Sequence, residues 1–253
     1  MFMKYYVIII SIFVFLFLYA CNPNFNTNQK DTKNLPNKKE LKLSTEVSSN
    51  QEEDLNKKIK NTLLNSLKNL IELANTQKEK YIKMMGEEPS DQYGMDFDKF
   101  SWGKNTEKVS SNTARSIKYR RHTYTILSSI DTKEFKEFAN IIKLSTKDNI
   151  YNLFSGFGQA LDIVTDYLYS KKETLDKLDA SDLEKLKNSF EKLLSTIKIV
   201  SEMSKQLLLD YKNDENLIKT DINMLKSHVN TLHNQFKEQT TEVETLQQVI
   251  LSI

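Results

Sequence analysis

Glycine and proline are nearly missing from this chain of 253 residues, which holds 5 Gly and 3 Pro where average usage would supply roughly 18 and 13. All five glycines lie between positions 86 and 158, so elsewhere the chain has little of the chemistry that makes tight turns. Hairpin-rich β architectures, which need such turns every few residues, are excluded. Cysteine occurs once, as Cys21, which rules out an intrachain disulfide and leaves a cysteine-ligated zinc site without support. The three histidines are His122, His228 and His233. The last two stand about 140° apart around a helix and so do not share a metal as i,i+4 histidines can. We expect all three at surface or boundary positions, with no metal and no cofactor.

Charge of one sign is lacking too. The 36 Lys+Arg against 34 Asp+Glu leave a formal net charge of +2, which argues against a general nucleic-acid binder. There is no Gly-x-Ser-x-Gly elbow, and no Gly-Lys-Ser/Thr follows Gly156 and Gly158 to make a phosphate loop. The many carboxylates share helices with many lysines, where they serve as solvated i,i+4 partners. We expect no catalytic residues and no enzyme.

What is present begins at the N-terminus. Lys4 precedes an apolar run over residues 5–19, interrupted only by the small polar Ser11 and ending in Leu18-Tyr19-Ala20-Cys21. The run is shorter than the roughly 20 residues that cross a bilayer comfortably, and a small residue closes it, as in a secretory signal. The motif resembles the lipobox of bacterial lipoproteins, with Tyr19 where a smaller residue is usual. That resemblance implies cleavage before Cys21 and attachment of diacylglycerol and a further acyl chain such as palmitate there. Several chains on one residue anchor a protein stably. The other reading, a transmembrane anchor with Cys21 incidental, is disfavoured by the length.

Residues 22–50 are mostly Asn, Lys, Thr, Ser and Gln with few apolar side chains, too few to offset the entropy of ordering. We expect a disordered tether spanning about 30 Å as a relaxed coil. The division is a signal peptide over 1–20, a lipidated tether over 21–50 and a single helical domain over 51–253.

Ser49 and Glu52 have capping-box spacing, and Leu55, Ile59, Leu63, Leu67, Leu70, Ile71 and Ala74 then repeat at helical intervals until Gly86. Five further apolar-periodic segments cover roughly 112–128, 133–144, 147–177, 182–212 and 215–251, with Asp131, Thr146 and Ser181 placed as N-caps and Glu184 completing a capping box. The expected fold is all-α, a bundle of about five to six helices with a long C-terminal helix. Between Gly86 and Ser110, an aromatic-rich loop with Tyr93, Phe97, Phe100 and Trp102 serves either packing or binding, with packing the simpler role. Gly156 and Gly158 interrupt a strong helical run at about 1 kcal/mol each relative to Ala; close approach of a neighbouring helix would compensate.

In the last segment Ile218, Ile222, Leu225, Val229, Leu232, Phe236, Val243, Leu246 and Ile250 alternate four- and three-residue steps, broken only at Gln239. This is a heptad seam. A helix over 215–251 would be about 55 Å long. Either the whole seam packs inside the monomer, or part of it leaves the bundle to meet a partner, most simply a second copy. Its continuation to the C-terminus favours the partner. Arg115, Lys118, Arg120 and Arg121, with His122, form the densest basic cluster and include every arginine of the chain. They are candidates for an acidic protein or glycosaminoglycan, against a plain solvated face.

Taken together, the lipobox, tether and helical domain resemble the paralogous outer-surface lipoproteins of Lyme-disease spirochaetes that include complement regulator-acquiring surface protein 1. The similarity is most specific from Tyr119-Arg120-Arg121-His122-Thr123-Tyr124 through Ile130 and extends to Phe236 and Thr245-Leu246. It implies an all-α bundle on the cell outer membrane, lipid-anchored and surface-exposed, and for some members a homodimer through the last helix. The dimer or partner positions carried over are Leu232, Phe236, Val243 and Leu246. The tail 247–253 departs from the relative's short aromatic end. Known relatives capture factor H, terminal complement components, plasminogen or tick proteins, so the resemblance implies a binder of a host or vector protein in immune evasion. The alternative is a structural or adhesive surface lipoprotein without complement binding.

Overall fold

The computed structural model describes residues 45–103 and 107–253, with side chains from Glu52 onward. Six α-helices lie in this part: α1 (Thr45–Gly86), α2 (Ala114–Ile126), α3 (Phe135–Ser145), α4 (Ile150–Lys171), α5 (Ala180–Lys212) and α6 (Ile222–Leu251). Short 3-10 turns lie in every connection except that between α3 and α4. Among the described residues the only β pairing is an isolated bridge between Ser101 and Lys108.

The core forms where the apolar stripes of α2, α3, α4, α5 and α6 meet. α4 lies against α2 on one side and α6 on the other, and α6 also packs on α3 and α5. Phe236 of α6 meets Phe154 of α4 with ring centroids 5.5 Å apart, and Phe154 in turn meets Phe138 of α3 at 6.2 Å. α1 adds Leu67, Ile71, Ala74 and Tyr81 to the core, whereas its side chains from Glu52 to Ile59 are all exposed.

Several caps differ from the sequence expectation. α1 is already helical at Thr45, so Ser49 lies inside it and is no cap. Asp179, not Ser181, caps α5, its carboxylate accepting from Asp182 N at 2.8 Å; Asp outcompetes Ser here because it adds negative charge at the positive helix end. Thr146 ends α3 in the left-handed region (φ 59°) instead of starting α4. Asp131 does cap, accepting from Lys133 N at 2.9 Å at the 3-10 turn that leads into α3.

The last helix is shorter than expected, 30 residues or about 45 Å. Asp221 caps it, accepting from Asn223 N at 2.8 Å. The preceding residues are held in a turn by Asp214, whose carboxylate accepts from Lys219 N, Thr220 N and the Thr220 hydroxyl. Asp214 and Asn216 take left-handed backbone there, a conformation these two residue types tolerate.

The 86–110 segment is packed down. Phe97 and Met95 are buried, Phe100 meets Tyr151 of α4 at 5.4 Å, and Trp102 Nε1 donates to Ser116 Oγ of α2 at 2.8 Å. The two helix glycines part company. A Cβ on Gly158 would sit 2.5 Å from the His122 carbonyl oxygen, so α2 and α4 touch there, whereas one on Gly156 would meet nothing within 4 Å.

Candidate binding surface

The basic cluster dissolves in three dimensions because each arginine has found an acid. Arg120 is 1% exposed. Its Nε and Nη2 donate to the Glu88 carboxylate at 2.7–3.1 Å, and Nη1 donates to the carbonyls of Val109 and Ser111 at 2.7 and 2.8 Å. Glu88 also accepts from the Tyr124 hydroxyl at 2.7 Å. A buried charge persists only when paired and hydrogen-bonded in this way. Arg120 therefore acts as a clamp joining both ends of the 86–110 segment to α2.

Arg121 pairs with Asp162 of α4, which also faces His122 Nε2 at 3.0 Å and Lys78 Nζ of α1 at 3.8 Å. Burial alone would push the Asp162 carboxyl up, but the His122 hydrogen bond and the charges of Arg121 and Lys78 override it and hold it below the usual carboxylate range. Arg115 bonds Glu107 through Nε at 2.9 Å and lies over the Trp102 ring, 5.1 Å from its centroid. The bonds from Arg115 and Thr113 draw Glu107 down to about 2. Lys118 alone of the four stays exposed without joining this set. The expected basic patch is corrected to three separate ion pairs, two of them structural.

The seam of α6 is corrected in the same sense. Leu232, Phe236, Val243 and Leu246 are all buried within the chain, Phe236 completely, against α4 and α5. Within the chain this apolar area is covered by the neighbouring helices. Within the seam only Ile222 is exposed. Two histidines also move inward. His122 packs beside Asp162, and His233, 5% exposed, accepts from the Asn149 amide at 2.9 Å through Nε2. His228 remains partly exposed, 3.8 Å from Asp210. Cys21 lies outside the described residues.

What the fold leaves open was not visible in the sequence. Leu217, 59% exposed, stands with Ile222 and Met224 at the α5–α6 corner, beside a groove of about 410 Å³ lined by Ile218, His228, Thr231 and Gln235. A second groove, about 280 Å³, runs between α4 and α6 past Gly156, Ala160, Ile163, Thr240 and Gln247. Both mix apolar walls with amides and hydroxyls, and they add Glu244 in the second groove and His228 in the first. Among the described residues no helix is long and apolar enough to cross a membrane.

Residues 83–253 match the family model described as Borrelia Bbcrasp-1 domain containing protein. The chain belongs to this family. The crystal structure of BSE31 from Borrelia (Borreliella) spielmanii is 49% identical, with a TM-score of 0.75 over 77% of this chain and 99% of that one. The outer surface lipoprotein BBA64 of Borrelia burgdorferi, 21% identical with a TM-score of 0.57, covers 77% of this chain and 96% of its own. The Lyme disease associated outer surface protein BBA65 of the same species, also 21% identical, superposes with a TM-score of 0.61 over 73% of this chain and 98% of its own. At these lower identities the likeness is one of fold. No curated protein matches the sequence. The family match begins near the end of α1, so most of that helix precedes the matched unit.

Proposed function

We propose that this protein is a lipid-anchored outer-surface protein that captures a host or vector protein by non-covalent contact with its helical domain, in the service of immune evasion. The observation that carries the reading is family membership across residues 83–253, with relatives whose names describe outer surface proteins. The anchor is Cys21, acylated after cleavage.

Two experiments test this. Intact cells treated with protease should lose the protein while periplasmic markers survive, and Cys21→Ser should abolish incorporation of labelled palmitate; protection from protease would sink the surface assignment. Immobilised protein should then bind factor H or a terminal complement component saturably at physiological salt. Binding to neither would remove the complement ligand and leave vector proteins to be assayed the same way.

A further inference from the structure

Thr165 on α4 is 1% exposed, and its Oγ1 has no hydrogen-bond partner among the described residues. Other helical threonines turn the hydroxyl back to the carbonyl four residues earlier. Thr123, Thr125, Thr196 and Thr240 do so at 2.9–3.0 Å. Thr165 instead lines a cavity of about 20 Å³ between α1, α2 and α4, whose walls include Ala74, Lys78, Tyr81, Arg121 and Asp162.

The size and chemistry of this cavity select its occupant. About 10–15 Å³ suffices for one water, given two to four polar partners. A cation would be repelled by Lys78 and Arg121, both already committed to Asp162. A polyatomic anion exceeds the volume and would face that same carboxylate, and an apolar occupant would strand the Thr165 hydroxyl. Water both donates and accepts, so it satisfies a hydroxyl and an ion pair together.

We propose that this cavity is a water-binding site in which a single water bridges Thr165 Oγ1 to the Asp162–Lys78 pair. The bridge joins α4 to α1, the helix that lies mostly ahead of the family-matched residues. Lys78 is the α1 side chain that reaches Asp162 and Asp166, so the water completes the polar half of the seat on which α1 rests. Leu67, Ile71 and Ala74 form the apolar half.

The test is Thr165→Val in the full-length chain held in detergent, because valine keeps the side-chain shape and removes only the hydroxyl. A bridged hydroxyl predicts a melting midpoint lowered by about 2–4 °C and faster amide exchange across α1. An unpaired hydroxyl predicts the opposite, since replacing it by a methyl removes a buried group that water solvates only in the unfolded chain. An unchanged or raised midpoint therefore overturns the proposal. Atomic-resolution crystallography gives a second readout. Wild type and Thr165→Ser should show a density peak within hydrogen-bond reach of Oγ1 that Thr165→Val lacks, and a wild-type map without that peak is equally decisive against the site.

Discussion

Glu88 and Arg120, 32 positions apart in sequence, form an almost completely buried ion pair whose shorter N–O distance is 2.7 Å. The remaining Arg120 donor goes to the main-chain carbonyls of Val109 and Ser111, and the remaining Glu88 capacity goes to Tyr124. Every member of the network depends on the others. Removing one partner leaves the other as a buried uncompensated charge, so Arg120→Met or Glu88→Leu alone should cost about 3–5 kcal/mol in denaturant unfolding. The double variant should recover much of that loss. A double variant as unstable as the sum of the singles would show that the pair is not energetically coupled.

The two helix glycines should respond with opposite signs. Gly156→Ala meets open space and should stabilise by up to about 1 kcal/mol through helix propensity. Gly158→Ala would drive a methyl into the His122 backbone at 2.5–2.6 Å; main chain cannot swing aside as a flexible side chain can, so we expect a loss of at least about 1–3 kcal/mol, as overpacked cores show. Paired urea titrations settle both.

His233 should make the fold acid-sensitive. Burial foremost, then the charges of Lys147 and Lys237, hold its pKa below the ordinary histidine value. Its Nε2 accepts from Asn149, so Nδ1 carries the proton of the neutral ring and is buried with no hydrogen-bond partner among the described residues. A depressed histidine binds fewer protons folded than unfolded, so stability is full above about pH 6.5 and falls as pH drops below that value, with a slope of at most about 1.4 kcal/mol per pH unit. His233→Gln should flatten this stretch of the stability–pH curve. Asp162, whose pKa is also depressed, acts lower: its stabilisation is present above the ordinary aspartate range near 4 and is lost in stronger acid.

Phe236 tests the role of the α6 seam. Phe236→Ala should cost about 3–5 kcal/mol in a dilute, strictly monomeric sample, since the ring fills the core beside Phe154. A variant that kept monomer stability and lost only self-association would return the seam to an intermolecular role.

The limits of sequence reading follow from particular residues. The apolar period in 182–212 and 218–250 marked which faces of α5 and α6 are buried, and the scarcity of glycine and proline marked the helices themselves. Periodicity identifies a face but not what covers it, which is why the seam through Phe236 read as a partner surface. Charge behaved alike. Arg115, Arg120 and Arg121 fall within seven positions, while their acids Glu107, Glu88 and Asp162 lie 8, 32 and 41 residues away. Local spacing shows the cations together and cannot show the carboxylates that neutralise them. The distinction between Gly156 and Gly158 needed the position of His122, and the histidine placements needed burial.

By itself, then, the amino-acid sequence determined an all-α chain of six described helices and its family, because helix formation and amphipathic period are local properties carried by residues within a few turns of one another. Tertiary structure alone decided that the arginines are clamps, that the heptad seam faces inward and that the Leu217 corner stays open. Those outcomes depend on which distant faces meet, and burial and charge pairing are properties of the meeting rather than of either face.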